Sequence, residues 1–277
     1  MKKNSYNDGS ILYLVPTPIG NLEDMTVRAI NTLKNVDYIL CEDTRTSGSI
    51  LKKFSIKNKL IAHHEFNEEK VANFVVEELT RGCNIAIITD RGTPIISDPG
   101  YKVVQKVIKN NFSVVSLPGA TAFVPALTMS GLTPSPFTFY GFLNAKENKR
   151  KKELENLKFL QNTIIFYEAP HRLMQTLNNI LEILGDRQIV VCREISKIHE
   201  EVCRGKITEV QKELNIIKGE FVIVLEGYIP DYVDLSLKEH IELYLKDGMS
   251  ANEAIKKVAL ERGIAKSIIY KEYHKSK

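Results

Sequence analysis

The residues best placed to do chemistry sit in three segments where an apolar run breaks into proline, glycine and short polar side chains, then into a helical pattern. These are VPTPIGNLEDMTVRAI (15–30), TDRGTPIISDPGY (89–101) and LPGATAFVPAL (117–127). A strand–turn–helix junction holds a ligand at the carboxyl end of its strand. In the second segment Pro94 and Pro99 stiffen the loop, and Gly92 and Gly100 permit left-handed backbone. Thr93, Ser97 and Asp98 add short polar groups. Such a loop offers backbone N–H and C=O groups to a ligand and loses little entropy on binding. In the third, the small residues Gly119, Ala120 and Ala122 allow a flat or bulky ligand to come close. The first is turned by Pro16 and Pro18. It lacks the spaced glycines of a dinucleotide fingerprint, and no GK[ST] phosphate loop occurs in the chain. Taken alone, it reads equally well as a structural turn.

The charged clusters each carry two readings. CEDTR (41–45) ends an apolar run, where its polar side chains either cap a helix or touch substrate. HEFNE (64–68) lacks the second histidine of a HExxH zinc site. KENKRKK (146–152) is a solvated helix start or a clamp for phosphate through Lys149 and Arg150. Cys41, Cys83, Cys192 and Cys203 are dispersed without CxxC spacing and read as reduced thiols packed like small hydrophobes. No metal site is expected.

The elements that must position these loops follow from hydrophobic pattern. ILYLV (11–15), VDYILC (36–41), NIAIIT (84–89) and FSVVSL (112–117) read as strands alternating with helical stretches, the pattern of a parallel sheet covered on both faces. Beyond Pro118 the strands FTFYGF, TIIFYEA, QIVVCR and FVIVLEG build a second, more aromatic unit. After Pro230 the pattern is helical, over 237–245, 251–260 and 267–273. The fold class expected is α/β: an N-terminal domain over 1–117, a second over 118–230, and a small helix-turn-helix-like extension over 231–277.

Over 277 residues, hydrophobic residues make up 43% and charged residues 26%, enough apolar sequence for a sizeable core and ordinary for a soluble globular protein. No apolar run approaches the length of a membrane span, and the start MKKNSYNDGS has no apolar signal-peptide region. A cytoplasmic location is expected. The net charge of +4 permits a polyanionic partner without requiring one.

The three loops, together with CEDTRTS (41–47), FYEAPHRL (166–173), REISKIHEEVCRG (193–205) and KGEFVIVLEG (218–227), resemble the tetrapyrrole (corrin/porphyrin) methylase family, whose members use S-adenosylmethionine. FYEAPHR, REISKIHEE and ISDPGY are similar to its ribosomal-RNA branch. The resemblance implies two α/β domains with the methyl donor in the cleft between them, in a homodimer. It implies methylation of a cytidine 2′-hydroxyl in the decoding region of small-subunit ribosomal RNA, either as free RNA or in the assembled subunit. It further implies donor contacts at Pro16, Pro18, Gly92, Thr93, Pro94, Ile96, Ser97, Ala120, Thr121, Ala122, Tyr167, Glu220 and Phe221. Two positions depart from the family pattern. Arg91 replaces an alanine, where it either crowds the loop or reaches RNA phosphate, and Phe66 replaces a histidine.

Methyl transfer to a ribose hydroxyl requires alignment and a route for the hydroxyl proton. Asp43, Asp98 and Glu168 are the candidate acceptors, with Glu194 beside them, and the sequence does not rank them. Arg45, Arg91, Lys149, Arg150, Arg172, Arg193 and Lys197 are the expected RNA contacts. Lys266, Lys271, Lys275 and Lys277 in the extension suit non-specific phosphate contact. A tetrapyrrole C-methyltransferase and a non-catalytic RNA-binding assembly factor remain as alternatives.

Overall fold

A computed structural model describes residues 9–230 and 232–275; the opening residues and Lys277 lie outside the described residues. Within 9–227 there are two five-stranded sheets. The first contains β1 (Ile11–Leu14), β2 (Tyr38–Cys41), β3 (Lys59–Ala62), β4 (Ile85–Ile87) and β5 (Ser113–Ser116). Their order is β3-β2-β4-β1-β5, with every pair parallel. Successive side chains alternate between two apolar faces, as a sheet buried on both sides requires. Ile11, Ile39 and Ala86 pack under α1 (Val27–Asn35) and α2 (Thr44–Lys53). Leu12, Leu40, Ile85 and Ile87 pack under α3 (Glu68–Thr80) and α4 (Tyr101–Lys109). Thr26 starts α1 by accepting a 3.0 Å hydrogen bond from Ala29 N–H, which satisfies one of the helix's free donors.

The second sheet comprises β6 (Phe137–Phe142), β7 (Thr163–Glu168), β8 (Gln188–Arg193), β9 (Glu201–Lys206) and β10 (Phe221–Leu225), in the order β6-β7-β10-β8-β9. Only β6 and β7 run parallel; the other pairs are antiparallel. Three helices, α6 (Glu147–Leu157), α7 (Leu173–Leu184) and α8 (Ile207–Glu213), cover one face through Leu154, Leu177, Ile180 and Val210. The other face packs against α5 (Phe123–Ser130) and also against Ile19, which comes from the loop after β1. That residue ties the first sheet's loop into the second sheet's core.

Residues 228–277 form a separate unit. Its helices α9 (Leu237–Lys246), α10 (Ala251–Arg262) and α11 (Lys266–Lys275) enclose Ile241, Ala254, Ile255, Val258 and Ile269. Capping boxes at Ser236/Glu239 and Ser250/Glu253 start the first two helices. Among the described residues no helix is long and apolar enough to cross a membrane.

The core of this unit holds a buried imidazole. His240 stacks on Tyr232 at 4.2 Å, lies beside Tyr244, and accepts a 3.0 Å hydrogen bond at Nδ1 from Arg262 Nε. Glu261 lies 3.1 Å from Nε2. Burial, and then the Arg262 cation, hold its pKa below the ordinary 6.5, against the pull of Glu261. The unfolded chain therefore takes up the proton first. The stabilisation is complete above about pH 6.5 and is lost as the pH falls below it. Once intrinsic exchange rates are divided out, the protection of amides within α9 and α10 is expected to fall between pH 7 and pH 5.5, and His240→Gln is expected to flatten that dependence. Protection independent of pH in the wild type would contradict this assignment.

Candidate functional site

The site begins with two backbone hydrogen bonds. Thr17 N–H donates to Gly92 O at 2.9 Å and Gly92 N–H donates to Thr17 O at 3.0 Å, joining the loops that follow the neighbouring strands β1 and β4. Thr17 Oγ1 also donates to Thr89 O at 2.9 Å. Gly92 sits at φ +84°, where a Cβ would lie 3.3 Å from Ile19. The third loop is tied in by Thr93 Oγ1, which donates to Ala120 O at 3.0 Å. Further along, Ile95 (φ +77°) and Ser97 (φ +68°) hold left-handed conformations that cost non-glycine residues on the order of 1–3 kcal/mol each. Glu68, from the HHEFNEE segment, accepts Gly100 N–H at 3.0 Å and Lys102 N–H at 3.1 Å, which fixes the far end of this loop where α4 begins.

These loops and the ends of β7 and β10 enclose a cavity of about 360 Å³ with mostly apolar walls. Of the residues expected to hold a donor, Gly92, Thr93, Ile96, Ser97, Thr121, Ala122, Tyr167, Glu220 and Phe221 line it. Pro16, Pro18, Pro94 and Ala120 do not; the three prolines are buried, and Ala120 contributes the carbonyl that holds Thr93. Ile19, Phe142 and Gly219 line the cavity without having been singled out from sequence. For Phe142 a clue lay in FTFYGF itself, since glycine inside a strand pattern marks a bulge.

The candidate carboxylates differ in their surroundings. Asp98 lines the cavity, and burial raises its pKa to about 6. Glu42 and Asp90 push it in the same direction, against a hydrogen bond from Thr89. Asp43 caps α2, accepting Arg45 N–H at 2.8 Å, and this bond and the Arg45 side chain hold its pKa below the ordinary value. Glu168 reaches the cavity wall, yet both oxygens are engaged: Oε1 by Ala169 N–H (2.8 Å) and Arg172 Nη2 (2.6 Å), and Oε2 by Thr176 Oγ1 (2.6 Å). Glu194 accepts Glu220 N–H at 2.9 Å and pairs with Lys197 at 2.7 Å. Asp98 combines a place in an apolar cavity with a proton affinity near neutrality.

The expected RNA cations divide by burial. Arg45 is exposed and 3.4 Å from Asp43, and Lys149 is exposed. Arg91 pairs with Glu220 at the cavity, and Lys197 reaches the same carboxylate at 2.9 Å. Three differ from the expectation. Arg150 is 1% exposed and directs its guanidinium inward, to Asn179 Oδ1 and the carbonyls of Asn144 and Ala145. Arg172 is consumed by Glu168 and Leu143 O. Arg193 is buried against Glu201 (2.8 Å) and Lys218 O, and that ion pair raises its pKa. A guanidinium turned inward onto the protein's own acceptors has no exposed fork to offer a phosphate. Phe66 is 96% exposed. Burial pushes the thiols of Cys41 and Cys192 up to about 11 and about 12. Among the described residues no group of three His, Cys, Asp or Glu side chains is arranged to hold a metal.

Comparison with known proteins places this geometry in context. The model of the tetrapyrrole (corrin/porphyrin) methylases matches residues 11–211. The ribosomal RNA small subunit methyltransferase I of Bacillus subtilis is 49% identical, over 99% of this chain and 97% of its own length. Its namesake from Halalkalibacterium halodurans is 45% identical over 97% and 96%. Among solved structures, the uroporphyrin-III-C-methyltransferase from Thermus thermophilus covers 78% of this chain and 94% of its own at TM-score 0.57 and 17% identity, which is a likeness of fold.

The Arg172–Glu168 pair generates a test of the inward placement. Removing one member of a buried ion pair leaves an uncompensated charge and costs roughly 3–5 kcal/mol. Arg172→Ala is expected to lower stability in urea titration by about that amount. A variant as stable as the wild type would return Arg172 to the list of surface cations.

Proposed function

The chain belongs to the tetrapyrrole (corrin/porphyrin) methylase family, and from that premise we propose that it methylates a cytidine ribose 2′-hydroxyl in the decoding region of small-subunit ribosomal RNA, with S-adenosylmethionine as donor. Likeness over nearly the whole chain to small-subunit RNA methyltransferases supports RNA over a tetrapyrrole as acceptor. In this reading residues 1–117 and 118–230 are two domains, 231–277 is an extension, and the protein works as a homodimer in the cytoplasm.

The observation that carries the reading is Asp98, a carboxylate with a pKa of about 6 in an apolar cavity. The cavity suits the donor: Ile19, Phe221 and Val222 offer apolar surface. Gly92, Thr93, Thr121, Ala122 and Tyr167 would hold it, with polar backbone groups presented by loops already locked to one another. S-adenosylmethionine, when bound, supplies a methyl group activated on a sulfonium. Two tasks remain for the chain. One is alignment, which the rigid loops provide and which is worth up to roughly 7–11 kcal/mol of barrier in favourable cases. The other is acceptance of the hydroxyl proton as the new carbon–oxygen bond forms, for which Asp98 is placed. Glu168 and Arg172 act behind the site by fixing the turn from β7 into α7.

Incubating the protein with labelled S-adenosylmethionine and undermodified small ribosomal subunits, then locating the label by nuclease digestion, tests the activity. Label on a ribose is the expected result; transfer to a precorrin instead of RNA would overturn it. Asp98→Asn is expected to lower kcat roughly 10²- to 10⁴-fold, the usual contribution of a positioned base. Donor affinity measured by calorimetry should change little. Because the carboxylate form is the active one, wild-type activity should rise as the pH passes through about 6 and then level off. A flat profile between pH 5 and pH 8 would remove Asp98 from the mechanism.

A further inference from the structure

We propose that Phe142 is the platform on which the acceptor base stacks; the inference rests on the RNA-methylation reading above and adds to it where the substrate nucleotide lies. Phe142 ends β6 with 52% of its surface exposed, and it lines the same cavity as Asp98. An exposed phenylalanine alone says little, since single apolar side chains on surfaces are common. Three further features set this one apart.

The first is a bulge. The pairing of β6 with β7 shifts register between Phe139 and Gly141, and Gly141 takes φ +82°. A Cβ at that position would lie 3.1 Å from Ser97 Oγ. The strand end is thus pressed against the loop residue next to Asp98, and any larger side chain would push it away. Bulges of this kind re-aim the side chains beside them, and here the re-aimed side chain is Phe142.

The second is rigidity. The three carbonyls that follow Phe142 are gripped by buried guanidiniums: Leu143 O by Arg172, and Asn144 O and Ala145 O by Arg150. The ring itself meets Tyr167 edge-on, with centroids 5.6 Å apart. A half-exposed ring on a clamped backbone is ordered before any ligand arrives, so binding on it loses little entropy. The buried arginines therefore act on the nucleotide through this backbone, as positioning residues.

The third is placement. β6 is an edge strand, paired among the described strands with β7 alone. The ribose carbon bearing the 2′-hydroxyl is bonded to the carbon bearing the base. A hydroxyl within hydrogen-bond reach of Asp98 therefore brings its base alongside, where Phe142 stands. The donor contacts of the reading come instead from the loops after β4 and β5 and from β7 and β10. Unpaired RNA bases are commonly bound by stacking on aromatic rings, which every base can satisfy. Phe142 accordingly fixes the position of the base, and the choice of cytidine falls to groups at its edge.

The test uses the full chain with undermodified small ribosomal subunits as substrate, and compares Phe142→Ala, Phe142→Leu and Phe142→Trp. The alanine variant is expected to raise KM for the subunits roughly 5- to 150-fold, the range for one base stacked on an aromatic ring. Its donor affinity by calorimetry should stay near that of the wild type. Leucine, apolar without a flat face, should fail like alanine, and tryptophan should restore binding. An unchanged KM in the alanine variant, a leucine variant as good as the wild type, or a loss confined to donor affinity would each overturn the proposal. Failure of the underlying reading is seen separately, in a wild-type protein that binds no donor or leaves the subunits unmethylated, and it would take the proposal with it.

Discussion

The pair of hydrogen bonds between Thr17 and Gly92 is the constraint on which the site depends. It joins the loops of β1 and β4, adjacent strands whose carboxyl ends open on the same crevice. From this joint Ile19 runs into the core of the second sheet, while Thr93 ties down the loop that leads to α5. The left-handed residues Ile95 and Ser97 then turn the chain so that Asp98 lines the cavity. Strain in that stretch is supported by Glu68, which holds the backbone where the helix starts. The loop is consequently one rigid piece whose conformation is set before a ligand enters.

Electrostatics separates side chains that look alike on paper. Asp43, Glu168 and Asp98 are all carboxylates at strand ends or loop turns. Asp43 is tied up by capping, Glu168 by an ion pair and two further hydrogen bonds, and Asp98 is desolvated with other carboxylates nearby. Only desolvation without full compensation leaves a group that exchanges a proton near neutrality. The arginines divide in the same way. Arg150, Arg172 and Arg193 turn inward onto the protein's own acceptors, while Arg91 lines the cavity and shares Glu220 with Lys197.

Much of the first sheet was legible in the sequence because strands buried on both faces are written as unbroken apolar runs, as in YILC and IAII. β3 and β9 were not read as strands: they are edge strands whose residues are largely exposed or half-buried, KLIA offering only three apolar residues and EVCRGK being mostly polar. The basic stretch 146–152 read as a solvated helix start or as a phosphate clamp, and within it Lys149 is exposed. Arg150 escaped because its partners are an asparagine 29 residues away and two carbonyls, acceptors that leave no charge pattern in the sequence. Phe142 escaped for a related reason. Glycine in FTFYGF marked a bulge, but what the bulge faces is seen only once β6 is laid against β7 and Ser97.

The most direct test of the account is a crystal structure of the protein with S-adenosylhomocysteine. The account predicts the ligand in the cavity among Thr93, Thr121, Tyr167 and Phe221, with its sulfur directed toward Asp98 and the Phe142 ring left free for an acceptor. A ligand bound elsewhere, or one whose sulfur faces away from Asp98, would contradict it.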